Sequence, residues 1–297
     1  MIGDPNVNQG KAGPVAIATC SAVAGKETED LRLIKALAGR GIPAVHAAWD
    51  DPLVDWHLFP LVVVRSTWDY PERRGEFLSW SKGLRKVLNP HPVLEWNTDK
   101  RYLNDLARAG VPVIPTLFLD PGDAFDAPTG AYVIKPAVSC GAKQTARYEA
   151  GPHAEAREHV RALHAAGRTV MVQPYLSDIE ASGEVALVFI GGEYSHSVRR
   201  GALLKAAGVR HKGEMVALNI EPYEATATER QLAEKALAAL PFGTRELLYA
   251  RVDLAPSRGG EPLVLEVELT EPSLFLEYHR QSFERLAACI AEVHTKT

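Results

Sequence analysis

The sequence predicts a mixed α/β (α+β) protein, and three observations lead to that class. Short apolar strands alternate with amphipathic helices through the first third of the chain, an order typical of a parallel sheet covered by helices. Strands recur from residue 131 onward, and the last two are separated by a turn-rich segment that indicates an antiparallel hairpin. The 297 residues are enough for two domains, or for one large domain with a lid.

The N-terminal region is predicted to contain three strands and a helix. Residues 15–20 form an apolar strand, and residues 28–38 carry apolar side chains at helical spacing as far as Gly39. Residues 43–47 and 61–64 are the next two strands. No Gly-x-Gly-x-x-Gly follows the first strand and no Walker A motif occurs, so neither a dinucleotide-binding domain nor a P-loop is expected.

The remainder of the chain continues as helices and strands. A helix is predicted at residues 99–109, with Thr98 or Asn97 as its cap and Gly110 at its end. The other predicted elements are strands at 131–135, 170–173 and 183–190, a helix near 154–165, and a closing helix at 278–293.

Composition and charge argue against several functions. With 46% hydrophobic residues, 24% charged residues and a net charge of −4, nothing favours nucleic acid or an anionic membrane as a partner. No apolar run approaches the length of a membrane span. Residues 1–13 are polar, lack signal-peptide features and are predicted to be disordered. Three widely spaced cysteines, Cys20, Cys140 and Cys289, argue against a disulfide framework or a zinc site and favour a reducing cytoplasm.

The most informative pattern is the predicted hairpin, because it carries carboxylates on one face. Strand alternation places Glu266 and Glu268 on the same face, roughly 6.6 Å apart. Arg251 and Asp253 alternate in the same way in the preceding strand, and residues 256–262 between them are rich in turn formers. Three converging carboxylates repel one another unless a cation lies between them. The face is therefore either simply solvated, or it holds two Mg²⁺ ions roughly 4 Å apart that clamp nucleotide phosphates.

Two lysines are candidates for binding an anion. Lys135 ends an apolar strand, where burial is costly without an anionic partner, although such lysines often extend to solvent. Lys100 falls in the first turn of the predicted helix, where the helix dipole disfavours a cation unless an anion binds; the alternative is an ordinary exposed lysine. Small residues after Lys135 allow the backbone to close over phosphates: Ser139, Cys140, Gly141 and Ala142.

The segment after the strand at 170–173 is a candidate for binding an adenine ring. Pro174 follows Gln173 and cannot donate a backbone hydrogen bond, so Tyr175 and Leu176 form a short extended linker with free backbone groups. Glu184 lies a few residues further on and is suited to accept from ribose hydroxyls. The alternative is a plain connector that carries a surface acid.

Taken in order, these motifs resemble the ATP-grasp ligases, and most closely their glutathione-synthetase branch, over residues 88–275. The metal strand of that branch reads Glu-x-Asn-x-Thr-Ser-Pro, and residues 266–272 read Glu-Val-Glu-Leu-Thr-Glu-Pro. The resemblance implies an ATP-grasp fold in three parts. These are an N-terminal parallel-sheet (pre-ATP-grasp) domain at 14–96, a lid and central region at 97–176, and a C-terminal ATP-grasp subdomain with the metal site at 177–297.

The resemblance also implies a role for each matched residue. The residues implied to bind ATP are Lys100, Lys135, Ser139, Cys140, Gly141, Ala142, Gln173, Tyr175, Leu176 and Glu184. Two Mg²⁺ ions, with Mn²⁺ as the alternative, would be held by Asp253, Glu266 and Glu268, and Arg251 would stabilise the oxyanion of a tetrahedral intermediate. Two features depart from the family: Glu268 stands where asparagine is usual, and the loop at 139–142 has one glycine where relatives often have several.

The substrate is expected beyond the strand at 61–64, because ligands of open α/β sheets bind at the carboxyl ends of strands. The following loop suits a small amino acid, with Asp69 for the ammonium group and Arg65 for the carboxylate; the alternative is an irregular loop packed by Trp68. Further candidates are Ser66, Thr67, Tyr70 and Ser273. A basic segment adds Arg199, Arg200, Lys205, Arg210 and Lys212, among which Arg199 or Arg200 is favoured because both end a strand.

Within the family, the opening strand, the loop at 65–70 and the Glu-x-Glu variant are most similar to the cyclo-ligases that act on O-ureido-serine. This resemblance implies that ATP activates the carboxylate of O-ureido-D-serine as an acyl phosphate and that the substrate's own ureido nitrogen attacks it. The products would be D-cycloserine, ADP and phosphate. Two alternatives stay open: an intermolecular carboxylate–amine ligase acting on an amino acid or peptide, and a non-catalytic ATP-binding sensor. Relatives are commonly dimers, which implies a homodimer or a higher homo-oligomer.

Overall fold

The computed structural model describes residues 13–204 and 219–296. Within these ranges the chain builds three sheets, one after another along the sequence. The first is parallel and the other two are antiparallel, which confirms the predicted mixed α/β class. Except for Gly13, the predicted disordered segment at 1–13 lies outside the described residues. None of the helices in the described ranges is long and apolar enough to cross a membrane.

The first sheet confirms the predicted N-terminal strands, in the spatial order β2-β1-β3-β4. Its elements are β1 Val15–Thr19, α1 Thr28–Gly39, β2 Ala44–Ala48, β3 Leu61–Val64, α2 Arg74–Gly83 and β4 Val87–Leu88. Strands β1 and β3 are buried along their whole length, which explains why they are continuous apolar runs rather than alternating ones. Leu33 and Leu37 of α1 pack on one face of this sheet, and an aromatic group that includes Trp49 and Phe77 packs on the other.

Two short helices lead to the second sheet, α3 His91–Asn97 and α4 Tyr102–Arg108. The second sheet has the order β5-β8-β6-β7 and is covered by a helix. Its elements are β5 Leu117–Leu119, β6 Tyr132–Pro136, β7 Ala146–Tyr148, α5 Ala154–Ala165 and β8 Val170–Pro174. The predicted helix near 154–165 and the strands beside it are therefore confirmed. Lys135 lies at the end of β6, and residues 139–142 form the loop between β6 and β7, called the lid loop below.

The third sheet has the order β11-β10-β9-β12-β13. The elements of this region are α6 Ile179–Ser182, β9 Glu184–Ile190, β10 Glu193–Arg200, β11 Ile220–Tyr223, α7 Ala227–Ala238, β12 Tyr249–Pro256, β13 Pro262–Glu268 and α8 Ser282–His294. Gly183 precedes β9 with φ of 72°, and a Cβ there would lie 2.5 Å from the carbonyl oxygen of Arg200. Only glycine fits this close approach of β9 to β10.

The predicted hairpin is confirmed as β12 and β13. Arg251 pairs directly with Glu268 and Asp253 with Glu266, so all four side chains lie on one face as strand alternation predicts. The register shifts beyond Asp253, and Leu265 is the extra residue on β13. A bulge of this kind bends the strand and turns its side chains toward a site.

Two predicted helix boundaries are wrong. The helix expected from residue 99 begins at Tyr102, because the backbone N–H of Lys100 donates to the carbonyl of Ala137 at 3.0 Å. Lys100 therefore lies in a turn before α4, and the helix-dipole argument for it does not apply. The closing helix begins at Ser282 rather than at 278, since the chain first forms a 3₁₀ turn at Leu276–Tyr278.

Candidate active site

Strand β13 is the edge of the third sheet, and side chains from the N-terminal half satisfy its free backbone groups. The Tyr102 hydroxyl accepts from the N–H of Val267 at 3.0 Å. Asn97 donates to the Val267 carbonyl and accepts from the N–H of Leu269, both at 2.7 Å. The Asn89 amide donates to the Leu269 carbonyl at 2.7 Å. These contacts fix the backbone on both sides of Glu268, and an exposed edge is thereby covered.

Replacing Asn97 by alanine is expected to loosen β13. The change leaves the Val267 carbonyl and the Leu269 N–H buried without partners, at a cost of about 1–3 kcal/mol each. We expect the free energy of unfolding in urea to fall by about 2–4 kcal/mol and the rate of ATP turnover to fall with it. Asn104→Ala, on the exposed side of α4, is the matched control and should change stability by no more than about 0.5 kcal/mol. Equal stability of the two variants would contradict the role given to Asn97.

Glu266 is the point where the two predicted ATP-binding lysines meet the metal strand. Lys135 Nζ lies 2.6 Å from one of its carboxylate oxygens, and Lys100 Nζ lies 4.0 Å from the other. Burial alone would raise the pKa of Glu266, but Lys100 and Lys135 lower it to about 2. Lys100 also donates to the carbonyl and hydroxyl of Ser139, at 2.8 and 3.2 Å, so it holds the lid loop. The structure thus brings the two lysines, the lid loop and β13, the strand predicted to bind metal, together.

Arg251 and Arg200 neutralise the other two members of the carboxylate cluster, which we define as Asp253, Glu266 and Glu268. Arg251 contacts Asp253 through two nitrogens at 2.8 Å each and Glu268 at 2.6 Å. Arg200 contacts Asp253 at 2.7 Å. Burial works against ionisation of Asp253, yet the two arginines hold its pKa below the usual range. Burial raises the pKa of Glu268. The neighbouring carboxylates of Asp253 and Glu266 raise it further, while Arg251 lowers it.

The carboxylate cluster fits a hard divalent cation in its donor chemistry, because Mg²⁺ and Mn²⁺ take carboxylate oxygens. Across the described ranges, no three acidic, histidine or cysteine side chains are already close enough together to hold a metal. The oxygens are instead taken by lysine and arginine nitrogens. Asp253, Glu266 and Glu268 would therefore hold an ion once it replaces these lysine and arginine nitrogens at their oxygens.

The two arginines at the end of β10 lie on opposite faces of the sheet. Arg200 contacts Glu184 at 3.1 Å as well as Asp253. The buried Nε atoms of Arg199 and Arg200 both have no acceptor in the described part of the chain. A buried donor without a partner is costly, so Arg200 is suited to a further anionic group. Arg199 instead stacks 4.0 Å from the ring centroid of Tyr223, away from the carboxylate cluster. Lys205, Arg210 and Lys212 lie outside the described residues.

The lid loop has a left-handed backbone although it contains one glycine. Gly141 has φ of 61°, and Ala142 and the nearby Gln144 have φ of 56° and 59°. This conformation is free for glycine but strained for the other two residues, and strain of this kind is found at ligand-binding loops. Cys140 is partly buried, and burial together with Glu271 raises the pKa of its thiol well above the usual range. The Cys140 thiol is therefore unsuited to act as a nucleophile.

The predicted adenine-binding segment keeps its strand character as far as Pro174. Gln173 is buried and donates to the Thr116 hydroxyl at 2.9 Å, and the N–H of Tyr175 donates to the Ala131 carbonyl at 2.8 Å. The carbonyl of Leu176 accepts from the backbone N–H of Ile179 at 3.1 Å. Some of the backbone groups predicted to be free are thus used within the fold to fix the linker.

Arg65, which the sequence suggested for a substrate carboxylate, is held by internal contacts in this structure. It is only 3% exposed, and its nitrogens contact Glu29 at 2.5 Å and Asp30 at 3.2 Å. Its remaining terminal nitrogen donates to the carbonyl of Pro272 at 3.0 Å. Arg65 therefore ties the N-terminal domain to the segment after β13.

The other residues of the 65–70 loop divide between internal contacts and the site. Ser66 donates to Asp30 at 2.6 Å, and Thr67 is fully buried. Asp69, suggested for a substrate ammonium group, accepts from the indole N–H of Trp49 at 2.7 Å and lies in an ion pair with Arg73. Tyr70 is buried and turned toward the segment after β13.

Two residues after β13 were missed by sequence reasoning. Phe275 has a left-handed backbone with φ of 52°, and its ring centroid lies 5.4 Å from the Arg251 guanidinium and 5.9 Å from that of Arg200. Two residues earlier, the carbonyl of Ser273 accepts from Arg251 at 2.9 Å.

The second missed residue is Glu271, which is buried beside the carboxylate cluster. Its side chain lies beside Tyr70 and Cys140, and its carbonyl accepts from the Trp68 indole at 3.1 Å. Burial, with a further contribution from Glu268, raises the pKa of Glu271 to about 8. A signal for it was present, since glutamate stands here in place of the serine of the Glu-x-Asn-x-Thr-Ser-Pro pattern.

The chain is similar in sequence and fold to several known proteins. A family model described as the N-terminal domain of D-cycloserine synthetase DcsG matches residues 15–89. The cycloserine biosynthesis protein DcsG of Streptomyces lavendulae is 38% identical over 282 residues, which cover 88% of this chain and 92% of that protein. The crystal structure of D-cycloserine synthetase DcsG matches with a TM-score of 0.85 at 36% identity, over 95% of this chain and 100% of that one. The D-alanine–D-alanine ligase of Bacillus anthracis, complexed with ATP, matches with a TM-score of 0.65 at 14% identity, over 96% of this chain and 98% of that one.

The fold and the site together define the class of protein. The chain is an ATP-dependent ligase with the ATP-grasp fold, as the resemblance over residues 88–275 implied. Within that class it belongs to the D-cycloserine synthetase DcsG family, because its identity to a member extends over most of both chains.

Proposed function

We propose that this ligase converts O-ureido-D-serine to D-cycloserine at the expense of ATP. The observation that carries the proposal is the convergence of four cationic side chains, from three parts of the fold, on the carboxylate cluster. Lys100 and Lys135 meet Glu266, while Arg200 and Arg251 meet Asp253. Phosphoryl transfer to a carboxylate needs this combination of fixed positive charge and metal-binding oxygens. The family relationship supports cycloserine biosynthesis as the context.

ATP binding would reorganise the ion pairs of the site. The two lysines would leave Glu266 for the phosphates, which frees its oxygens for Mg²⁺. Two Mg²⁺ ions, with Mn²⁺ as the alternative, would be held by the carboxylate cluster and would neutralise phosphate charge. The adenine would lie against the backbone of Tyr175 and Leu176, with Glu184 near the ribose. The lid loop supports this arrangement, since Ser139 is already held by Lys100.

The reaction has two chemical stages at the substrate carboxylate. A carboxylate oxygen takes the γ-phosphoryl group of ATP, and ADP leaves with the pair of electrons of the broken P–O bond. The ureido nitrogen bonded to the side-chain oxygen then attacks the activated carbonyl carbon and loses its proton, and phosphate departs as the ring closes. A separate hydrolysis away from the carboxylate completes the reaction: water attacks the carbamoyl carbon, the ring nitrogen leaves and takes up a proton, and the carbamic acid formed breaks down to CO2 and ammonia. Attack within one molecule requires no second amine pocket and gains from proximity.

Arg251 and Arg200 are suited to the charge that develops in these stages. Arg251 is held by Asp253 and Glu268 on one side and by the Ser273 carbonyl on the other, so its guanidinium is fixed in place. A fixed cation stabilises an oxyanion without reorganising during the reaction. Arg200 adds a second cation, whose unpartnered Nε favours an anionic ligand.

The proposal is tested by mass spectrometry after incubation with ATP, Mg²⁺ and O-ureido-D-serine alone. We expect D-cycloserine and ADP to form in equal amounts, with O-ureido-L-serine as the matched control for stereochemistry. ADP release that begins only when an external amine is added would indicate an intermolecular ligase. Tight ATP binding without ADP formation for any carboxylate would indicate a nucleotide sensor.

The setting of the enzyme is part of the same proposal. All three cysteines have free thiols, which supports a reducing cytoplasm as the location. The homodimer or higher homo-oligomer implied by the family stays a prediction that light scattering of the purified protein would test.

A further inference from the structure

Among the described residues, one buried carboxyl group of the site lies in no ion pair. Glu184, Asp253, Glu266 and Glu268 each lie within 4.0 Å of an arginine or lysine nitrogen. Glu271, which is 7% exposed, takes part in no such ion pair in the described part of the chain, and its side chain lies beside Tyr70 and Cys140. A buried carboxyl group in this position lacks the counter-charge that its neighbours have, and a ligand cation would supply it.

Glu271 also lies behind the wall of a small cleft. A cavity of about 20 Å³ lies between the N-terminal domain and the lid loop, lined by Trp68, Pro71, Glu72, Ser139, Cys140, Lys143 and Arg168. The indole of Trp68 donates to the Glu271 carbonyl at 3.1 Å, and Cys140 lies beside the Glu271 side chain. Two residues that line the cleft therefore separate it from this carboxyl group.

The position of Glu271 suits a group next to the reacting carboxylate. It follows Glu268 by three residues, and the charges of Glu268 and Lys100 both act on it. A substrate carboxylate placed at this cluster carries its α-amino group one carbon away. Asp69, the acid that the sequence suggested for that ammonium group, is already occupied by Trp49 and Arg73.

We propose that Glu271 binds the α-ammonium group of the substrate and thereby makes the enzyme select amino acids over other carboxylic acids. The proposal rests on the function proposed above and adds a specificity-determining residue to it. The ammonium group would take the place of the Cys140 thiol at the Glu271 carboxylate, and the Tyr70 hydroxyl would keep the carboxylate oriented. The raised pKa of Glu271, about 8, agrees with a site that lacks a cation until the substrate enters.

The test compares two substrates on two variants. One substrate is O-ureido-D-serine, and the other is 3-(ureidooxy)propanoate, which keeps the carboxylate and the ureido nitrogen but lacks the amino group. For Glu271→Gln we expect kcat/KM for O-ureido-D-serine to fall about 10- to 100-fold, from the strength of a hydrogen bond between charged groups. The value for the desamino analogue should change little. The preference of the wild type for the amino acid would thus be largely lost, while the KM for ATP stays near the wild-type value.

Glu72→Gln is the matched control, because Glu72 lines the same cleft but pairs with Lys143 at its exposed side. It should keep the wild-type preference for the amino acid. Glu271→Asp keeps the charge and provides a second variant if the glutamine variant fails to fold; it should keep the preference while both rates fall. An unchanged preference in Glu271→Gln, or equal losses for both substrates, would overturn the ammonium role in favour of a purely structural one.

Failure of the proposed function is distinguishable from failure of this inference. If the wild type releases ADP with another amino acid but forms no D-cycloserine, the proposed function is wrong. The same comparison is then made by ADP release with that amino acid and its desamino analogue. If no amino acid stimulates ADP release in the wild type, both proposals are overturned.

Discussion

Replacing Glu266 by glutamine is expected to lower Mg²⁺-dependent ADP formation by more than about 100-fold. Loss of an outer-shell partner of a metal ligand typically costs about 10- to 100-fold, and Glu266 would itself be a ligand. The change also removes the carboxylate that faces both Lys100 and Lys135, so the two buried lysines lose their common counter-charge. The measurement is ADP release at saturating ATP and Mg²⁺.

Glu261→Gln is the matched control for this prediction, since Glu261 is exposed in the turn of the same hairpin. It should turn over ATP at the wild-type rate. If Glu266→Gln also turns over ATP normally, the assignment of the metal strand is wrong. Loss of activity in both variants would instead indicate that the hairpin as a whole is sensitive to substitution.

The same variant should show a characteristic dependence of stability on pH. The pKa of Glu266 is lowered to about 2 from an ordinary value of 4.5, so its ionised form stabilises the folded state. That contribution is fully present above about pH 4.5 and is lost as the pH falls toward about 2. The difference in unfolding free energy between wild type and Glu266→Gln should therefore shrink over this range. A difference that stays constant from neutral pH down to about 2 would contradict the ion pairs seen at Glu266.

The hairpin, and the residues that share its site-facing side, could be predicted from the sequence because both depend on local alternation. Arg251, Asp253, Glu266 and Glu268 share a face through the period of a strand, and the bulge at Leu265 does not disturb their register. The early strands were equally predictable, since buried parallel strands are continuous apolar runs.

Features that depend on contacts far apart in sequence were not predictable. The start of α4 is delayed because Lys100 is bound through its backbone to Ala137 at the end of β6, a contact that helix signals cannot show. Glu271 was missed because its burial depends on Tyr70 and Cys140, which come from two other parts of the fold. Arg199 and Arg200 were both favoured because they end a strand, and that position could not show which of them faces the carboxylate cluster.

Arg65 shows the same limit most clearly. It follows a parallel strand at the edge where substrates bind, so its position alone favours a substrate role. Its partners are 35 residues away at Asp30 and 207 residues away at Pro272, and only the folded chain brings them together. Through these three contacts, the Arg65 guanidinium holds the segment that carries Glu271 and Ser273 in place.

Replacing Arg65 by methionine is accordingly expected to affect stability before it affects substrate binding. The change leaves Glu29 and Asp30 buried without their cation, and breaking a buried pair in this way costs about 3–5 kcal/mol. Urea unfolding measures the loss. Arg40→Met is the matched control, because the pair of Arg40 with Glu284 is largely exposed and should contribute about 0–1 kcal/mol.

The double variant Arg65→Met/Glu29→Gln separates the lost ion pair from the lost packing of the arginine side chain. Because it removes one of the two unpaired carboxylates, it should recover part of the stability lost in Arg65→Met. The substrate-binding role makes the opposite prediction: near-normal stability in Arg65→Met together with a large rise in KM for the carboxylate substrate. That result would show that Arg65 leaves Glu29 and Asp30 to bind the substrate, and the link from the N-terminal domain to Pro272 would then not be what fixes the segment after β13.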